Sequence, residues 1–100
     1  MVRLLEEIRQ IKIEIEPELS ACVETKAKRE YQKTLSELLR KGEERELQER
    51  LETLRLFLEA TDFKGLRKEY ERHLIEGRRV KFILYLAKGK PKYEMKITQE

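Results

Sequence analysis

The sequence predicts an α+β domain, mostly helical. An antiparallel helical hairpin plus a third helix packs on one face of a small antiparallel sheet containing a C-terminal β-hairpin. Three observations predict it. Apolar residues recur at helical spacing from Leu19 to Leu74. Gly42 and Gly77 close two of the helical runs. Beyond Gly77 the pattern changes to strand–turn–strand, VKFILYLA, KGKP and KYEMKI in succession.

Residues 2–16 satisfy two periods. Leu4, Ile8, Ile11 and Ile15 fall at helical spacing, while Ile11, Ile13 and Ile15 alternate with Lys12, Glu14 and Glu16 as in a strand. A helix would turn Ile13 away from the other isoleucines, and β-branched residues suit a pleated surface. The reading is a short helix or irregular lead-in, then a strand over about 10–16.

A helix is expected over 18–41, with Pro17 suiting its entry. Leu19, Val23, Ala27, Tyr31 and Leu35 recur every four residues, followed by Leu38 and Leu39. A four-residue step drifts by about 40° per repeat on a 3.6-residue helix, so this stripe slants. Arg40, Lys41 and Gly42 form the stop, cations and then a glycine cap.

The second helix, 43–60, carries Leu47, Leu51, Leu54 and Leu58 on one face, widened by Phe57. Glu43 and Glu44 favour its positive end, and Glu46 can pair with Arg50 one turn on. The stripe covers under two heptads, which suits packing inside one bundle better than a coiled coil. Leu56 and Ala60 lie off the stripe and call for a neighbour of their own. The third helix, 62–76, opens on Asp62 or Thr61 as N-cap and faces inward with Phe63, Leu66, Tyr70 and Leu74. Gly65 is a weak point in its first turn.

The hairpin spans 79–97 with KGKP (88–91) as its turn, and Thr98 to Glu100 are expected to fray. The return strand alternates Tyr93, Met95 and Ile97 with Lys92, Glu94 and Lys96. The first strand is apolar on both faces: Val80, Phe82, Leu84 and Leu86 on one, Ile83, Tyr85 and Ala87 on the other. Such a strand belongs at the centre of a sheet. The flanking strands would be 92–97 and 10–16. Helices would cover one face, leaving Ile83 and Tyr85 for another subunit.

One hundred residues form one domain, 1–100, with a thin core, burying only about 60–65% of the unfolded surface. Small chains often offset this by oligomerising. Charged residues reach 43%, yet Asp62 is the lone Asp and Asn is absent. Heavy Glu, Lys and Arg with few amides is a heat-adapted composition. Cys22 is the only cysteine, so no intrachain disulfide forms, as expected in a reducing compartment. MVRLLEEIRQ carries acids early and is not read as a signal peptide. No apolar run reaches membrane-spanning length. A soluble, cytoplasmic protein with no membrane partner is expected.

Candidate chemistry is sparse. Glu69, His73 and Glu76 share a helix face, but one imidazole among abundant glutamates fits surface ion pairing better than a metal site. Cys22 has no base beside it in sequence and reads as a small buried apolar residue. The glutamates of EERELQERLE alternate with arginines and read as a solvated face. With no nucleophile–base motif, HExxH or glycine-rich phosphate loop, the chain is expected to be non-enzymatic, without cofactor or small-molecule ligand.

Two readings remain. The first is a protein–protein interaction module that self-associates as a homodimer, with Leu56, Ile83 and Tyr85 as candidate contacts. The second is nucleic-acid binding through the basic hairpin. Residues 77–100 hold seven cations against two acids, and residues 1–76 sixteen against eighteen, which together give the net +3. Arg78, Arg79, Lys81, Lys88, Lys90 and Lys92 would neutralise phosphates. The competing explanation for these lysines is that cations at an edge strand and hairpin tip deter aggregation.

Overall fold

The structure is a computed structural model that describes residues 11–42 and 44–99. The lead-in read over 2–10 lies outside the described residues, as do Glu43 and Glu100. The alternation of Ile13 and Ile15 with Glu14 wins over the helical period, giving strand β1 (Ile13–Ile15). It is three residues long, within the wider 10–16 expected.

Helix α1 (Val23–Lys41) starts five residues later than the sequence predicts. Pro17 does not open it. Residues 18–21 instead form a tight turn, with Glu18 and Ala21 exchanging backbone hydrogen bonds of 2.9 and 3.1 Å. Cys22 is the extended N-cap, and its side chain makes no cap bond. The buried first-turn donor Val23 N–H is met from across the fold by the Tyr70 hydroxyl, 3.1 Å away. Leu19 therefore stands outside the helix, 59% exposed. The slanting stripe leaves the core along the helix: Val23 and Ala27 are buried, Tyr31 packs half-buried against the core, Thr34 is buried in place of Leu35, and Leu39 is 77% exposed. Gly42, at φ 83°, closes α1 with its N–H on the Leu38 carbonyl.

Helix α2 (Arg45–Ala60) and helix α3 (Phe63–Ile75) follow. Glu44 is the extended N-cap of α2, not a first-turn residue. Arg50 reaches Glu30 on α1 at 3.3 Å instead of pairing with Glu46. Asp62 caps α3 by accepting from Gly65 N–H at 3.3 Å. Gly65 is part of that cap: a Cβ there would lie 2.8 Å from Asp62 Oδ2. Gly77, at φ 86°, ends α3, with Gly77 N–H on the Leu74 carbonyl and Arg78 N–H on the His73 carbonyl.

Strands β2 (Arg79–Ala87) and β3 (Lys90–Thr98) complete a three-stranded antiparallel sheet in the order β1-β2-β3. The turn is two residues, Lys88 and Gly89, shorter than the expected KGKP. Both have positive φ, 53° and 76°, the type I′ geometry whose twist matches paired strands. Pro91 lies within β3 opposite Leu86, and Thr98 is paired with Arg79 instead of frayed. Ala87 and Lys90 close the turn as a hydrogen-bonded pair, so the next position along, Pro91, directs its backbone nitrogen away from β2. The missing N–H of proline costs no bond in this sheet.

All three helices pack on one sheet face. The core there joins Ile13 and Ile15 of β1 with Val80, Phe82 and Leu84 of β2. Val23, Ala27, Leu54, Phe57, Leu66 and Tyr70 close it from above. Edge-to-face ring pairs Tyr70–Phe82, Phe82–Tyr93 and Phe57–Tyr93 run across it at centroid distances of 5.6, 5.5 and 6.2 Å.

Candidate interaction surface

The two faces and two edges of the sheet order the candidate residues. On the helix side, matched rows differ sharply in cover. Val80, Phe82 and Leu84 are 1%, 0% and 0% exposed, whereas their β3 partners Ile97 and Tyr93 are 39% and 42% exposed, with Met95 half-buried. The helices seal β2 but cover β3 only in part, with Phe57 of α2 reaching the Tyr93 ring.

The other face carries Ile83 and Tyr85, both half-buried, with no helix over them among the described residues. Their neighbours are charged. Ile83 stands between Glu14 and Glu94, and Tyr85 is opposite Lys92. Diagonal ion pairs Lys81–Glu14 at 3.3 Å and Arg79–Glu16 at 2.7 Å brace this face. The long stems of such side chains cover part of the apolar surface while their heads stay in water. Leu56 is half-buried on α2, on the helix side of the sheet. The structure therefore joins Ile83 and Tyr85 in one patch and places Leu56 on the opposite side.

The basic residues also divide. Arg78 is turned into the fold end, donating from Nε to His73 Nδ1 at 3.0 Å and pairing with Glu76. Arg79 and Lys81 hold the carboxylates just named. Lys88, Lys90 and Lys92 are exposed at the hairpin tip without an ion pair among the described residues. Lys96 faces Lys81 across the strands, a like-charge pair, while Lys81 is drawn to Glu14.

His73 is thus occupied by Arg78, and among the described residues no group of three or more His, Cys, Asp or Glu is placed to hold a metal. An open depression between the β1–α1 turn and the end of α3 has its cations matched by acids: Lys26 with Glu18 at 2.6 Å, Arg79 with Glu16, Arg78 with Glu76. The hydrogen bond from Lys26 and its charge hold the Glu18 carboxyl below its ordinary value. Cys22 Sγ lies 3.3 Å from Thr25 Oγ1, and hydrogen bonds from Thr25 lower the thiol pKa.

The architecture defines a small α+β domain, a three-helix layer on one face of a three-stranded antiparallel sheet. Within that class, the chain belongs to an uncharacterised protein family whose model matches residues 9–97, nearly the whole of the domain. No curated protein and no solved structure matches it.

Proposed function

We propose that this chain is a non-enzymatic interaction module that pairs with a second copy of itself to form a homodimer, using the sheet. One observation carries the reading: the apolar row of β3, Tyr93, Met95 and Ile97, is only partly covered by the helix layer that seals the equivalent row of β2. A hundred-residue chain has little core to spare, and burying this row against an identical row enlarges it. The lone Cys22 suits a cytoplasmic setting.

Sedimentation velocity over a range of concentrations tests this. A species of twice the 12.1 kDa chain mass is expected at micromolar concentration. A single-chain species at every concentration contradicts it.

A second reading is favoured by a specific observation, the exposed Lys88, Lys90 and Lys92 without carboxylate partners among the described residues, next to Tyr85 on the open face. Nucleic acid bound there would follow a steep salt dependence. Fluorescence anisotropy with duplex and single-stranded probes at low salt decides it; replacing the three lysines by glutamine should abolish any binding.

A further inference from the structure

The free edge of β3 has a self-complementary register. In the hairpin, Lys90, Lys92, Glu94, Lys96 and Thr98 turn their backbone N–H and C=O toward β2, because Ala87–Lys90 is a hydrogen-bonded pair and such pairs alternate. Tyr93, Met95 and Ile97 therefore turn theirs outward. An outward-facing row of this kind is a template for another strand.

We propose that two copies join edge to edge, β3 antiparallel to β3 about a two-fold axis through Met95, making one continuous six-stranded sheet with both helix layers on the same side. This rests on the self-association proposed above and names its geometry. The outward groups of Tyr93, Met95 and Ile97 meet those of the partner's Ile97, Met95 and Tyr93, all in hydrogen-bonding phase. The apolar row that the helices leave partly exposed is then flanked by an identical row. On the other face Glu94 lies opposite the partner's Lys96, and Lys96 opposite the partner's Glu94. These are non-hydrogen-bonded positions, where side chains come closest. Each ion is supplied with what its own chain does not provide: Glu94 faces Ile83, Lys96 faces Lys81, and neither has an ion pair among the described residues.

The charges and one proline select this register. An axis through Glu94 sets Glu94 against Glu94 and Lys92 against Lys96. An axis through Lys96 sets Lys96 against itself. An axis through Tyr93 brings Lys90 against Lys96 and puts Pro91, which has no N–H, where a donor is required. An axis through Ile97 leaves only a short overlap. The lysines that deter edge pairing elsewhere thus exclude the wrong alignments and permit one.

The test uses the whole chain. An equal mixture of ¹⁴N- and ¹⁵N-labelled protein is treated with a carbodiimide, and the covalent dimer is digested and read by mass spectrometry. A mixed-isotope Glu94–Lys96 amide is expected. Lys96→Glu should weaken dimerisation about tenfold, since both seam pairs become repulsive, and Glu94→Lys with Lys96→Glu should restore it. Both positions are exposed, and Lys96→Glu places an acid opposite Lys81 within the chain, so the fold tolerates the change. A dimer that lacks this cross-link, or one whose strength is unmoved by Lys96→Glu or not restored by the exchange, overturns the register while self-association stands. A monomer at every concentration overturns both.

Discussion

Tyr70 ties the third helix to the start of the first. Its ring packs edge to face on Phe82, and its hydroxyl accepts from Val23 N–H at 3.1 Å. Helix starts leave backbone donors unsatisfied, and Cys22 supplies no side-chain cap. Tyr70→Phe would keep the ring and orphan a buried N–H, so it should lower stability by about 1–3 kcal/mol in urea denaturation. The same residue sets an alkaline limit. Burial raises the Tyr70 phenol above its ordinary pKa. A raised pKa means that the unfolded chain loses this proton first. The stabilisation is complete below the ordinary tyrosine value and is lost as pH rises through it to the raised folded one. Denaturation midpoints measured across that range should fall for the native chain and fall less for Tyr70→Phe. The sequence showed Tyr70 as a core residue but not as a cap, because its partner is 47 positions away and a hydroxyl carries no periodic signal. Asp62, a local cap, was legible three residues from its target.

At the scale of elements, the boundaries follow from the same distinction between local and distant causes. Leu47, Leu54 and Phe57 mark the inner face of α2 as their spacing predicts. The start of α1 does not, because the turn at 18–21 is held by backbone bonds that any residues could make. Pro91 reads as a turn residue by type, yet it suits an edge strand whose nitrogen faces outward. The two-residue turn yields a direct prediction. Lys88 holds φ 53°, a conformation that asparagine adopts more readily. Lys88→Asn should raise the thermal midpoint, by the equivalent of a few tenths of a kcal/mol up to about 1 kcal/mol, whereas Gly89→Ala at φ 76° should lower it by about 1 kcal/mol. Scanning calorimetry reads both. If Gly89→Ala leaves the midpoint unchanged, the turn is not type I′.

For the whole molecule, the alternation of apolar residues announced a three-stranded sheet with β2 at its centre. It also marked Ile83 and Tyr85 as lying on the face away from the helices. It did not announce that the helix layer covers β3 only in part, since a strand's alternation shows which way each side chain points and not how far a neighbouring layer reaches. That incomplete cover, with the outward backbone groups of Tyr93, Met95 and Ile97, makes β3 the seam of the proposed dimer. Hydrogen exchange at the β3 amides tests it most directly. Lys92, Glu94 and Lys96 donate within the chain and serve as the internal reference; Tyr93, Met95 and Ile97 donate outward. The three outward amides should gain protection as protein concentration rises, in step with dimer formation. If they exchange at unprotected rates while the dimer is populated, the two copies do not meet along this strand.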